Sequence, residues 1–118
     1  MTSENALSVA IERGNVMAAD CPSREVLRHV TSLWGVLTLI TLTKGSYRFS
    51  ALRRHLGGVS ERMLAQTLRH LEQDGFVHRR DYHTMPPRVE YSLTEAGQAV
   101  ASRVAELADW IEDYSVSL

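Results

Sequence analysis

Residues 48–97 read RFSALRRHLGGVSERMLAQTLRHLEQDGFVHRRDYHTMPPRVEYSLTEAG, and this stretch decides the fold. Ser50 is a good N-cap for a short amphipathic helix that runs through His55-Leu56 and stops at Gly57-Gly58. Ser60 caps a second helix, with core positions at Met63, Leu64, Thr67, Leu68 and Leu71 and an end at Asp74-Gly75. Phe76–Tyr82 and Arg88–Leu93 read as two strands around a loop from His83 to Pro87. Pro86-Pro87 suits that loop, since proline is disfavoured within a central strand.

A short helix, a glycine turn, a polar second helix and a basic hairpin outline a winged helix-turn-helix, an α+β fold that is mainly α. Such a fold sets its second helix in a DNA major groove and reads base edges with the N-terminal half. Glu61, Arg62, Ala65, Gln66, Arg69 and His70 lie off the packed face of that helix. Arg62 and Gln66 are one turn apart and project to one side; Arg can fork to guanine and Gln can pair with adenine. Ser60 can hold a phosphate at the helix start. Arg69 and His70 lie later, placed for phosphate or solvent, and Glu61 either accepts from cytosine or simply favours the helix dipole. On the hairpin, Arg79, Arg80 and Arg88 are candidates for backbone or minor-groove contacts, with His83 and Thr84 at the tip and Arg48 beside them. The competing reading is an ordinary surface hairpin whose charges protect its edge from aggregation.

The flanks predict how many readers there are. Residues 1–20 carry a weak apolar periodicity (Leu7, Val9, Ala10, Ile11) and read as an arm or short helix preceding a single domain over 21–118. Cys21-Pro22-Ser23 opens a first long helix that from Val26 to Leu42 carries apolar residues all round, including Val30, Trp34 and Leu37. A helix apolar all round must be buried all round, which predicts a second subunit against it. Thr94 caps a last helix reaching about Tyr114, where Val100, Val104, Leu107, Ile111 and Tyr114 form a heptad-like seam with Trp110 beside it. These N- and C-terminal helices are read as the dimerisation surface; the alternative is a last helix folded onto its own core.

Composition sets the outer bounds. The chain has 118 residues, 44% of them hydrophobic, enough for one globular domain. Its net charge of −1 hides an asymmetry. Residues 44–92 hold nine Lys/Arg against five Asp/Glu, whereas residues 93–118 hold one against five. That is the footprint of a phosphate-facing surface rather than a uniformly mixed one. The N-terminus lacks a secretory pattern and no long apolar run exists, so a cytoplasmic protein with no membrane contact is expected. The single cysteine excludes an internal disulfide. The five histidines lack metal spacing, and no phosphate loop, carboxylate pair or nucleophile elbow is present. The sequence therefore predicts no enzyme, no metal and no cofactor.

Several motifs then point to a family. They are Cys21-Pro22, Trp34, Arg48-Phe49-Ser50-x-Leu52-Arg53, Val59-Ser60-x-x-Met63-Leu64, Leu68-x-x-Leu71-Glu72-x-Asp74-Gly75 and Pro86-Pro87-Arg88-Val89-Glu90-Tyr91-Ser92-Leu93-Thr94-x-x-Gly97. From Cys21 to about Trp110 the chain resembles the HxlR-type winged-helix regulators of bacteria. The resemblance implies a homodimer joined through the first and last long helices, bound to double-stranded DNA at a roughly palindromic operator, often as a repressor. It also implies a response to electrophiles, quinones or oxidants through the cysteine before proline, here Cys21. That residue lies at a helix start whose free N–H groups favour an anionic sulfur, opposed by Asp20 and aided by Arg24. The other reading of Cys21 is a small packed hydrophobe. Where the family commonly has Gly-Lys-Trp this chain has Ser32-Leu33-Trp34, so any contact of that lysine is absent. The alternative function is a winged-helix protein-interaction module without DNA binding; a small-ligand pocket between the long helices is compatible with the regulator reading.

Overall fold

The computed structural model describes residues 15–117. The apolar periodicity read over residues 7–11 lies outside that range. Helix α1 spans Pro22–Thr31, with Cys21 as an N-cap that makes no side-chain hydrogen bond and proline in the first turn. Helix α2 spans Leu33–Leu42. The single long helix expected to open at Cys21-Pro22-Ser23 and run through Leu42 is thus two helices, broken at Ser32, where ψ is 151°. Two local interactions make the break. The Ser32 hydroxyl donates to the His29 carbonyl and accepts from the Gly35 N–H, capping one helix against the other. Gly35 is required at this joint because a β-carbon there would collide with the His29 carbonyl oxygen.

The break also divides the apolar character. In α1 only Val30 is buried, with Leu27 exposed. In α2, Gly35, Thr38, Leu39 and Leu42 are buried and Val36, Leu37 and Ile40 pack partly against the core. The all-round apolar surface belongs to α2, and the protein's own core covers much of it.

Strand β1 is Tyr47–Arg48, followed at once by helix α3, Phe49–His55. The N-cap of α3 is Arg48 rather than Ser50, without a side-chain cap. Pairing of β1 with the sheet keeps Arg48 extended, so the helix starts immediately after it. A turn with Gly58 at φ 91° leads to α4, Glu61–Gln73, where the Ser60 hydroxyl accepts from the Met63 N–H as expected. At the far end the Phe76 N–H donates to Leu71 and the Gly75 N–H to Glu72, with Gly75 at φ 86°. This is a Schellman termination, which the Asp74-Gly75 pair encodes.

Strands β2, Val77–Asp81, and β3, Val89–Leu93, form the hairpin, and the three-stranded antiparallel sheet runs β1-β3-β2. Val77 faces Leu93, Arg79 faces Tyr91 and Arg80 faces Glu90 across β2–β3; Arg48 faces Glu90 across β1–β3. Helix α5, Glu95–Val116, completes the chain. Its cap Thr94 accepts from Gly97 N–H and donates to the Gly75 carbonyl, tying the start of α5 to the end of α4. The core joins Leu39 and Leu42 of α2, Leu52 and Leu56, Leu64, Leu68 and Leu71 of α4, Val77, and Ala101 and Val104 of α5. Met63, expected in that core, is 41% exposed instead. It sits on the side of α4 that faces α1.

Candidate nucleic-acid interface

Helix α4 buries one side and presents the other. Leu64, Thr67, Leu68 and Leu71 are buried, which holds the opposite ridge outward. Ser60, Glu61, Arg62, Gln66 and Arg69 are all exposed there. At 100° per residue, Arg62, Gln66 and Arg69 lie within one narrow ridge. The two banks of the ridge differ. On one side a groove of about 410 Å³ lies between α4 and the sheet, with Ala65, Arg69 and Glu72 facing Arg79 and Tyr91. On the other side a groove of about 340 Å³ lies between α4 and α1, with Met63, Gln66 and His70 facing Glu25, Arg28 and His29.

The hairpin separates the arginines that the sequence grouped. Neighbouring residues in a strand point to opposite faces. Arg79 therefore shares the α4 side with Tyr91, while Arg80 falls on the other face with Arg48, opposite Glu90. On that outer face the Arg80 and Arg88 guanidinium carbons lie 4.4 and 4.3 Å from the centre of the Tyr82 ring. The Arg88 Nε donates to Glu90 at 2.9 Å, Arg88 Nη2 lies 2.8 Å from the same carboxylate, and the Tyr82 hydroxyl donates to it at 3.2 Å. These partners, the Arg88 hydrogen bond first, hold the Glu90 carboxyl below its usual range and raise Arg88. Glu90 is thus the organising anion of the wing. His83 and Thr84 are exposed at the tip; His83 adopts φ 53°, its N–H donates to Asp81 Oδ1, and Thr84 donates to the Pro86 carbonyl.

Three basic residues outside the sequence-based selection stand close to this surface. Arg53 and Arg54 close α3 and line a groove of about 500 Å³ with Ser50 and Gly58. Arg53 leans toward the turn, with Nε donating to the Val59 carbonyl at 3.4 Å and Nη1 lying 3.8 Å from Glu61. Arg28 stands on α1. The tandem Arg53-Arg54 before Gly57-Gly58 was a visible signal; the position of Arg28 depends on how α1 packs.

Cys21 is a half-exposed free thiol at the start of α1. Arg24 turns back to donate to the Met17 carbonyl at 2.9 Å. At the other end of α1, His29 Nδ1 is 2.7 Å from Asp74 and its ring stacks on His70 of α4 at 4.1 Å. The residues read as a subunit seam divide in the single chain. Val30 and Val104 are buried, and Trp34, Leu37 and Val100 pack partly against the core. Leu107, Trp110, Ile111 and Tyr114 are exposed, with Trp110 stacked on Tyr114.

The profile described as HxlR-like helix-turn-helix matches residues 29–117. The chain is 60% identical to the uncharacterized HTH-type transcriptional regulator YtfH of Escherichia coli (strain K12), covering 93% of this chain and 87% of that one. The solved YtfH chain from Salmonella typhimurium is 64% identical, with a TM-score of 0.79 over 84% of this chain and 88% of that one. The redox regulator HypR in its oxidized form is similar at 39% identity and a TM-score of 0.71, covering 79% and 96% of the two chains. With its capped reading helix, basic wing and matched sequence, the chain belongs to the HxlR-like helix-turn-helix family of transcriptional regulators.

Proposed function

We propose that this protein is a cytoplasmic homodimeric repressor that binds a roughly palindromic operator, with residues 21–118 acting as one DNA-binding unit. The observation that carries the reading is the ridge of α4: Arg62, Gln66 and Arg69 project together from a helix whose other side is locked into the core. Arg62 and Gln66 read bases, Ser60 and Arg69 bind phosphate, and Arg48, Arg79 and Arg80 engage the backbone beside them. The wing tip, His83 and Thr84, lies toward the minor groove, with Arg88 held behind it by Glu90.

Exposed Leu107, Trp110, Ile111 and Tyr114 on α5 support a second copy of the chain, since a contiguous apolar face of this kind marks an interaction surface. Two copies would set two α4 helices one DNA turn apart, about 34–36 Å. Cys21 is the sensing thiol for a small electrophile or quinone. Its place at the head of α1 supports this, because the same helix ends in the His29 contacts with Asp74 and His70 of α4. Similarity to a redox regulator supports it as well.

Selection from randomised duplexes followed by fluorescence anisotropy tests the reading. An inverted repeat bound far more tightly than random sequence is expected, with affinity falling steeply as salt rises. Equal binding of selected and random duplexes would sink it and favour a protein-interaction module.

A further inference from the structure

We propose that α1 is a third DNA-contacting element, with Arg28 holding one sugar–phosphate strand and Glu25 opposing it. The inference rests on the DNA-binding reading and adds to it a contact that neither the helix-turn-helix nor the wing provides. A helix with its side chains is about 10–12 Å across, and the major groove is about 12 Å wide, so an inserted helix has a phosphate strand along each flank. Arg79 stands on the sheet-side flank of α4, across from Arg69. On the opposite flank the groove is walled by α1, and the cation at its rim is Arg28, which shares that groove with the base-reading Gln66.

Arg28 is free to serve. Its side chain is 64% exposed, and its Nη1 donates to both oxygens of Glu25 at 3.1 and 2.9 Å, which leaves further donors for an incoming phosphate. Glu25 is itself 56% exposed and lies 3.6 Å from His29 Nε2. It therefore orients Arg28 while placing a negative charge on the bank where a phosphate would lie. The two neighbours have opposite consequences: removing Arg28 loses a contact, and neutralising Glu25 removes a repulsion.

The test is a salt titration of the full-length protein on a random-sequence duplex long enough for two half-sites, with the Arg28→Ala, Arg28→Lys and Glu25→Gln variants. Arg28→Ala should weaken binding several-fold and flatten the slope of log affinity against log salt by about 0.9 for each protomer engaged. It should do so without changing preference between selected and random duplexes. Arg28→Lys should keep the slope, and Glu25→Gln should tighten binding. An unchanged slope in Arg28→Ala, or weaker binding by a Glu25→Gln variant that melts like the unaltered protein, overturns the α1 contact and leaves the DNA reading intact. Failure of the unaltered protein to bind any duplex overturns both.

Discussion

In the proposed reading, Arg62 and Gln66 are separable from their basic neighbours by what each would discriminate. Each stands on the exposed ridge of α4, where a bidentate contact is worth about 1–3 kcal/mol of preference for the right base. Arg62→Ala and Gln66→Ala should each relax selectivity at one operator position, measured by competition with single-base variants. Arg79→Ala should instead weaken selected and random duplexes alike, because the proposal assigns it, on the sheet-side bank of α4, to the sugar–phosphate backbone. Cys21→Ser should bind DNA normally yet fail to release it on exposure to a quinone; release that persists in the variant removes the sensing role. Thr38 is a different case. Its hydroxyl is fully buried and has no hydrogen-bond partner among the described residues. Thr38→Val should raise stability by about 1 kcal/mol in denaturant unfolding, since an unsatisfied buried polar group is replaced by an isosteric methyl.

At the scale of elements, the joint between α1 and α2 and the outer face of the wing are each held by a single device. Gly35→Ala would drive a β-carbon into the His29 carbonyl, a backbone atom that cannot move aside cheaply. A loss of about 1–3 kcal/mol or more is expected, with α1 displaced from α4, read as a lower unfolding midpoint and weaker DNA binding. In the wing, Arg88 and Tyr82 converge on Glu90, whose ionisation is favoured relative to an unfolded chain. A lowered carboxyl value means that the stabilisation is complete above the ordinary value of 4.5 and is lost as pH falls through the lower folded value. The protection factors of the β2–β3 amides, with the intrinsic exchange rate at each pH divided out, should therefore fall in acid below that range. Glu90→Gln should remove this acid dependence and loosen the wing already at neutral pH.

For the molecule as a whole, the question is what lies against α5. The half of this helix nearest the sheet buries Ala101 and Val104, while the far half leaves Trp110 62% exposed beside Leu107, Ile111 and Tyr114. Among the described residues no helix is long and apolar enough to cross a membrane. A paired Leu107→Glu and Trp110→Glu variant should sediment as a monomer. It should keep its fold, because both side chains are outside the core of the single chain. Its affinity for a two-half-site operator should fall much more than its affinity for a single half-site. A variant that remains dimeric would place the interface elsewhere.

The order of elements from Arg48 to Gly97 was determined locally, and the sequence was enough to read it. Ser60, Gly58 and Gly75, and Thr94 in its capping of α5, act through hydrogen bonds and backbone angles within a few residues of themselves, so their residue types report these roles directly. The exposed reading ridge followed from helical periodicity for the same reason. The break at Ser32 was less legible, because the segment from Val26 to Leu42 carries no proline, and the capping serine works only with the glycine three residues on. Tertiary structure alone decided which arginine belongs to which surface. Pairing of β2 with β3 set Arg79 beside Tyr91 on the α4 side and Arg80 opposite Glu90 on the outer face, and packing of α1 on α4 brought Arg28 to the rim of the Gln66 groove. Charge can be counted along a chain, and the carboxylates that hold Arg88 and Arg28 lie within three residues of them, but the surface each arginine faces is built from distant segments that only folding brings together.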